Sequence, residues 1–135
     1  MRASRTIMVV EDDEETLNIV ARTLAASGYD VLWARNGDDT LTVLDRHASP
    51  IALMIVDVVL PGMTGPEVVE TVKRKNPETG AIYVSAFDRQ AVRSHGVDPD
   101  TMPFLAKPYE PDELLKAVER LLGGGTVTSR RAPPG

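Results

Sequence analysis

The segment Ile51-Ala-Leu-Met-Ile-Val-Asp57-Val-Val-Leu-Pro-Gly62 decides the fold of this chain. Its first six residues are apolar, which is typical of a central strand buried on both faces of a parallel sheet. Asp57 closes this strand and is followed by a Pro-Gly turn, so a carboxylate is held at the edge of the core. Such a carboxylate is unfavourable unless a partner or a function compensates for its burial. Asp57 is therefore the first candidate functional residue.

Three other apolar segments also end in residues that carry chemistry. In chain order, the residues at these ends are Glu11 with Asp12, Ser85 and Lys107. Parallel strands present their carboxyl ends along one edge of an open sheet, and ligands bind at that edge. We therefore expect these side chains to lie near Asp57.

Helical patterns separate the apolar segments, so that strand and helix alternate along the chain. The expected strands are residues 5–10, 29–34, 52–56, 81–85 and 103–105. The first expected helix is marked by an apolar stripe at residues 17–24. The other four are expected over residues 39–47, 65–75, 89–94 and 111–122. Strict alternation with short connections predicts an α/β fold, in which helices cover both faces of a five-stranded parallel sheet. Asp38 or Gly37 is the expected N-cap of the second helix, and Asp88 that of the fourth.

Length and composition are those of one globular domain. The chain has 135 residues, 42% hydrophobic and 26% charged, with no cysteine, which excludes disulfides and thiolate metal sites. A net charge of −5 argues against non-specific binding of nucleic acid, which needs a basic face. No apolar run reaches the roughly 20 residues of a membrane span, and no signal peptide is recognisable, so a cytoplasmic protein is expected. We expect a domain over residues 1–123 and a disordered tail over 124–135.

The acidic residues predict a metal site. Three carboxylates, from Glu11, Asp12 and Asp57, repel one another if the first and third strands are neighbours. A hard divalent cation relieves that repulsion, and oxygen ligands with room for water suit Mg²⁺. An Asp carboxylate can also attack phosphorus and form an acyl phosphate. Lys107 and Ser85 can then stabilise charge on the transferring phosphoryl oxygens.

Each of these residues also has a simpler interpretation. An acid at a strand end often caps the next helix. For the acidic residues 11–15 taken alone, helix capping and a functional role carry roughly equal weight. Residues 13–15 are expected only to cap the helix. Taken singly, Lys107 would be a solvated lysine, Ser85 an ordinary strand-end hydroxyl and Phe104 a core aromatic. Matching chemistry at four strand ends favours the functional interpretation.

Four motifs, in this order, resemble the receiver domain of two-component response regulators, the CheY-like family. They are Val9-Val-Glu-Asp-Asp13, Val56-Asp-Val-Val-Leu-Pro-Gly-Met-Thr-Gly65, Val84-Ser-Ala86 and Phe104-Leu-Ala-Lys-Pro-Tyr109. The resemblance extends over about residues 5–122. It implies a flavodoxin-like (βα)5 three-layer sandwich with the strand order 2-1-3-4-5.

The resemblance implies that Asp57 accepts a phosphoryl group. The donor would be a histidine kinase or a histidine phosphotransfer protein, and the cofactor would be Mg²⁺. The metal ligands would be Glu11, Asp12, Asp57 and the backbone carbonyl of Val59, with Asp12 the first candidate for a direct ligand.

The resemblance also implies roles for residues around the phosphoacceptor. Ser85 and Lys107 would contact the phosphoryl oxygens. Ser85 and Phe104 would form a switch that changes a protein-binding surface. The resemblance also implies a cis peptide bond between Lys107 and Pro108, with a bend that aims the lysine at the acidic pocket.

Two side chains depart from what many relatives carry. Val59 and Phe87 are apolar at positions that are often polar, two residues after Asp57 and Ser85. Both positions flank the route of the hydrolytic water in this family. They therefore bear on the rate of self-dephosphorylation, in a direction that the sequence leaves open.

Other functions fit the sequence less well. A phosphohydrolase of the haloacid-dehalogenase type needs a second Asp two residues after the nucleophile, where this chain has Val59. A scaffold that is never phosphorylated would not need the full set of site residues. DNA binding by this chain is not expected, because only about a dozen polar residues follow the last helix. We expect output through protein contacts, from a monomer or a weak phosphorylation-dependent dimer; the kinase and the output partner are open.

Overall fold

The structure is a computed structural model that describes residues 5–47 and 49–123. Within them, the strands are β1 (Thr6–Val10), β2 (Asp30–Ala34), β3 (Leu53–Asp57), β4 (Gly80–Ser85) and β5 (Phe104–Ala106). The helices are α1 (Glu14–Ala26), α2 (Gly37–Arg46), α3 (Gly65–Lys75), α4 (Arg89–Ser94) and α5 (Pro111–Leu121). The strands form one parallel sheet in the order β2-β1-β3-β4-β5. The predicted α/β fold and strand order are confirmed.

Two apolar clusters, one on each face of the sheet, form the core. Alternate residues of a strand point to opposite faces. Met54 and Val56 of β3 pack with α2, α3 and α4, whereas Leu53 and Ile55 pack with α1 and α5. All five residues of β3 are buried, as the apolar run predicted. A strand buried on both faces needs a helical layer on each side, which gives the three-layer sandwich.

Polar side chains fix where the helices begin. Asp13 caps α1, Asp88 caps α4, and Thr64 with Glu67 forms a capping box at α3. Each cap satisfies backbone N–H groups that have no acceptor inside the helix. The predicted capping roles of Asp13 and Asp88 are confirmed.

The start of α2 differs from the prediction. The helix begins at Gly37, two residues earlier than expected, and its N-cap is Asn36, whose Oδ1 accepts a hydrogen bond from the Asp39 N–H at 2.8 Å. Gly37 and Asp38 lie inside the helix, so both predicted caps were wrong. The reason is that the Asn36 side chain already accepts from a free N–H of the first turn, one position before Gly37 and two before Asp38.

Some of the predictions concern residues that the structure does not describe. The tail predicted to be disordered, residues 124–135, lies outside the described residues. The expected domain, 1–123, also includes positions 1–4 and 48, which the structure does not describe. None of the described helices combines the length and the apolar character that a bilayer crossing requires.

Candidate functional site

The sheet brings the predicted site residues together at its carboxyl edge. Asp57 and Ser85 are the last residues of the neighbouring strands β3 and β4, while Glu11 and Lys107 follow β1 and β5. Glu11 and Lys107 are 96 positions apart in the chain, yet their side chains are hydrogen-bonded. The site therefore depends on the order of the strands.

Three carboxylates form the acidic part of the site. Glu11, Asp12 and Asp57 each offer an oxygen, and these oxygens all lie within 4.8 Å of one another. Glu11 and Asp57 are buried, whereas Asp12 is exposed. The group contains only hard oxygen donors and is open to solvent on the Asp12 side, which is the ligand chemistry that Mg²⁺ prefers. These residues fit a divalent cation.

Lys107 supplies a positive charge to the acidic group. Its Nζ donates hydrogen bonds to Glu11 Oε1 at 2.7 Å and to Asp57 Oδ2 at 2.8 Å. Burial lowers the pKa of Lys107, but the hydrogen bonds to the two carboxylates outweigh burial and hold it above its usual value of 10.5. Lys107 is therefore a cation at neutral pH. Its peptide bond to Pro108 is cis, as predicted.

The ion pair with Lys107 does not fully compensate the negative charge of the buried Glu11 carboxylate. Burial is the largest influence and raises the pKa of its carboxyl; the hydrogen bond from Lys107 lowers the pKa, and the charge of Asp57 raises it again. The net result is a pKa above the usual 4.5. A raised carboxyl pKa means that the site disfavours the bare negative charge, so the acidic group has charge left for a cation to neutralise.

The loop after β3 holds the second oxygen of Asp57. The Val59 N–H donates to Asp57 Oδ1 at 3.1 Å, so both carboxylate oxygens are hydrogen-bonded. Val59, whose carbonyl is a predicted metal ligand, thus lies beside the carboxylate. The loop closes where the Gly65 N–H donates to Val58 O at 2.7 Å. A Cβ on Gly65 would lie 2.5 Å from the Asp57 carbonyl oxygen, so this close approach requires glycine.

Ser85 and Phe104 lie on the neighbouring strands β4 and β5. Ser85 is 2% exposed, and its Oγ accepts a hydrogen bond from the Phe87 N–H at 3.0 Å. Among residues 5–47 and 49–123, no hydrogen bond joins the Ser85 hydroxyl to the carboxylates. Phe104 is partly buried, pairs in register with Tyr83 and packs against the cluster under α2, α3 and α4. A switch between Ser85 and Phe104 stays a prediction.

Two residues at this edge were not singled out as site residues from the sequence. Arg35 follows β2, and its Nη2 donates to the carbonyl oxygen of Asp12 at 2.9 Å. Nothing in the sequence signals this bond, because its acceptor is a backbone carbonyl, which every residue type offers, 23 positions away in the chain. The Tyr109 hydroxyl is buried and lacks a hydrogen-bond partner in the described part of the chain. Burial is the main cause that raises the pKa of Tyr109 to about 12, so the phenol stays protonated at neutral pH.

Comparison with known proteins identifies the family. Residues 7–119 match the family described as "Response regulator receiver domain". The chain belongs to this family. Receiver domains are the phosphoacceptors of two-component signalling, and this chain is one of them.

Curated relatives place the receiver domain in several contexts. The cyclic di-GMP phosphodiesterase of Thermotoga maritima is 34% identical over 111 residues, which are 82% of this chain and 29% of that protein. The transcriptional regulatory protein CssR of Bacillus subtilis is 29% identical, over 97% of this chain and 56% of the relative. This receiver domain thus corresponds to one part of each relative.

Solved structures of receiver domains have the same fold. The receiver domain of the hybrid histidine kinase CckA superposes with a TM-score of 0.72 at 28% identity, and covers 87% of this chain and 98% of that one. A response regulator from Thermotoga maritima gives a TM-score of 0.73 at 26% identity, over 90% and 99% of the two chains. Both solved chains align over nearly their full length.

Proposed function

We propose that Asp57 is the phosphoacceptor and receives its phosphoryl group from a phosphohistidine of a histidine kinase or a histidine phosphotransfer protein. The observation that carries this proposal is the contact between Lys107 Nζ and Asp57 Oδ2 at 2.8 Å, beside the acids Glu11 and Asp12. Phosphoryl transfer to a side chain needs a fixed nucleophile and nearby positive charge. A carboxylate held by an ammonium, in a group of acids that fits a divalent cation, meets both needs.

Transfer begins from a carboxylate that Lys107 and the Val59 N–H hold in place. A carboxylate oxygen of Asp57 attacks phosphorus while the P–N bond of the donor breaks, and the electron pair of that bond returns to the imidazole. The donor histidine, protonated on its other ring nitrogen, leaves as neutral imidazole, and Asp57 becomes an acyl phosphate. Lys107 then follows the negative charge from the carboxylate to the phosphoryl oxygens.

The acidic group would hold Mg²⁺ through Glu11, Asp12 and Asp57, with the Val59 carbonyl as a further ligand. When bound, the cation neutralises charge on the transferring phosphoryl oxygens. Ser85 can assist because its Oγ accepts from the Phe87 N–H, which leaves its own O–H proton available to a phosphoryl oxygen.

Labelling with acetyl phosphate and Mg²⁺, read by intact mass, tests this proposal. We expect the wild-type protein to gain one phosphoryl group and Asp57→Asn to gain none, and excess EDTA to prevent labelling. Asp38→Asn is the matched control, because Asp38 is an exposed acid outside the carboxylate group; it should be labelled like the wild type. A stable phosphorylated form of Asp57→Asn, or full labelling in EDTA, would contradict the assignment.

The domain is proposed to catalyse only its own phosphorylation and dephosphorylation. The apolar Val59 lies next to the Asp57 carboxylate, where a general acid for turnover of another substrate would be needed. The expected signature is that acetyl phosphate is consumed no faster than phosphorylated Asp57 loses its phosphate. The output is proposed to be a protein contact made in the cytoplasm by residues 1–123, as a monomer or a weak phosphorylation-dependent dimer.

A further inference from the structure

Arg35 joins the edge strand of the sheet to the loop that carries the acidic residues. Its Nη2 donates to the Asp12 carbonyl oxygen at 2.9 Å. Within the described ranges, no other side chain from outside residues 11–13 hydrogen-bonds to the backbone of those residues. From outside residues 11–13, the other support from β2 is a backbone hydrogen bond, in which the Glu11 N–H donates to Ala34 O at 3.1 Å.

Asp12 depends on this support more than its neighbours do. The Glu11 carboxylate is held by Lys107 and by the Asp13 N–H, and the Asp13 carboxylate is fixed as the cap of α1. The Asp12 side chain is exposed, and no hydrogen bond or ion pair to its carboxylate is found among the residues that the structure describes. The direction of that carboxylate is therefore set by its backbone, and the carbonyl of that backbone is what Arg35 holds.

Arg35 is itself anchored to the start of α2. Its backbone N–H donates to Asp39 Oδ2 at 3.2 Å, and the Asp39 N–H is held by the Asn36 side chain at 2.8 Å. The loop after β3 packs on the same turn. The thioether of Met63, in that loop, lies so close to Gly37 that a side chain on Gly37 would overlap it. The start of α2 thus supports both loops that carry the acids.

We propose that Arg35 is a positioning residue for the metal-binding carboxylate of Asp12. This inference rests on the proposed function, since it assumes that the acidic group holds a divalent cation. The simpler alternative is that Arg35 is an ordinary surface arginine, whose positive charge only repels Mg²⁺. The two accounts differ in sign: loss of positioning weakens Mg²⁺ binding, whereas loss of a repelling charge strengthens it.

A titration with Mg²⁺, followed through the backbone amide shifts of residues 11–13 and 57–59, distinguishes the two accounts. Arg35→Met removes the donor and the charge but keeps the aliphatic stem. We expect Mg²⁺ binding to weaken about three- to tenfold, the range of one net hydrogen bond. Arg46→Met is the matched control, because Arg46 is exposed in the last turn of α2, at the other end of that helix; it should bind Mg²⁺ as the wild type does or slightly more tightly.

The outcomes separate this inference from the proposed function. Unchanged or tighter Mg²⁺ binding by Arg35→Met would overturn the inference, as would equal weakening in Arg46→Met. Either result would leave the metal site standing, provided that the wild-type amides of residues 11–13 and 57–59 respond to Mg²⁺. If those wild-type amides do not respond, the metal site of the proposed function fails, and the inference fails with it.

Discussion

Lys107 Nζ lies 2.7 Å from Glu11 Oε1 and thereby joins the chain after β5 to the chain after β1, across two intervening strands. The same nitrogen contacts Asp57, so one ammonium compensates two of the three acids. A divalent cation in the acidic group would neutralise the same charges. Lys107 and a bound metal ion would therefore both compensate the negative charge of this site.

Lys107→Met should separate two roles of the ammonium, which are stabilising the transferring phosphoryl group and compensating the charge of the acids. Without the ammonium, phosphorylation of Asp57 by acetyl phosphate should slow about a hundredfold, since a charged donor to the transferring group is lost. Mg²⁺ should bind more tightly, because the acids lose their internal cation. Labelling rates by intact mass and Mg²⁺ titration by amide shifts measure both. Lys75→Met, which breaks only the exposed pair with Asp45, should change neither quantity.

Glu11 should make the metal-free protein less stable as pH rises. The pKa of Glu11 in the folded protein is raised above 4.5, so the folded state holds the proton more tightly than the unfolded chain does. The resulting stabilisation is fully present at pH values below the pKa of Glu11 in the unfolded chain. It is lost as the pH rises through the pKa of Glu11 in the folded protein. The difference in unfolding free energy between Glu11→Gln and the wild type should therefore grow from acid to neutral pH. Urea denaturation in EDTA at several pH values measures this difference.

The exposed acid of Glu14 provides the control for this pH series. Glu14 is an exposed acid in the first turn of α1 and lies outside the carboxylate group, so Glu14→Gln reports the effect of the same substitution away from the site. Addition of Mg²⁺ should reduce the advantage of Glu11→Gln. An advantage that is constant with pH would show that burial does not raise the pKa of Glu11.

Gly65→Ala should disturb the phosphoacceptor loop. The added Cβ would meet the Asp57 carbonyl oxygen at 2.5 Å, and a backbone atom cannot rotate away. We expect a loss of about 1–3 kcal/mol of stability together with slower labelling of Asp57. Gly80→Ala is the matched control, since its Cβ would meet chiefly the flexible end of Leu53. Equal stability of the two variants would contradict the close approach.

Phe104 should change its environment when Asp57 is phosphorylated. Phosphorylation replaces the single negative charge of the Asp57 carboxylate with a phosphoryl group that carries about two, and movement of Ser85 toward the new oxygens would leave space beside β5 that Phe104 can fill. Both Phe104 rotamers should exist in the free protein, because a ligand can only bias a state that is already accessible. The alternative is that Phe104 is a fixed core residue and that charge alone carries the output.

Fluorine-labelled phenylalanine decides this point with few signals, since the chain has only two Phe residues. Phe87→Leu assigns the spectrum. Beryllofluoride with Mg²⁺ should shift the Phe104 signal in the wild type and leave it unchanged in Asp57→Asn. An unchanged signal in a wild-type sample with confirmed binding would rule out the switch.

The segment from Asp88 to Met102 should be the least protected part of the described fold. Its helix, α4, has six residues, and its ion pairs between Arg89 or Arg93 and Asp100 join exposed side chains, which stabilise little. Few buried contacts allow local opening. Hydrogen exchange should be fastest here and slowest in β3; protection equal to that of β3 would contradict this.

The fold was predictable because its signals are local. The apolar run before Asp57 predicted a buried central strand, and Asp88 before a short helical pattern predicted α4 with its residue limits. The N-cap of α2 was missed because Asn36, Gly37 and Asp38 are all plausible turn residues. The choice among them depends on the helix that follows rather than on any one residue.

The site was predictable only as a set of strand ends. The sequence indicated that Asp57, Glu11 and Lys107 share an edge, but the double hydrogen bond of the Lys107 ammonium depends on tertiary geometry. Arg35 was missed because its role is a contact with a backbone carbonyl, which leaves no trace in residue types. Long-range contacts of this kind follow from the folded sheet and not from local patterns.

The separation of 96 positions between Glu11 and Lys107 has a consequence for synthesis on the ribosome. A nascent chain that has emerged only as far as β4 already contains all three carboxylates but lacks the ammonium that holds two of them. Because the pair closes only after β5 joins the sheet, newly made protein should not compete for phosphoryl groups until nearly the whole domain has been translated and folded.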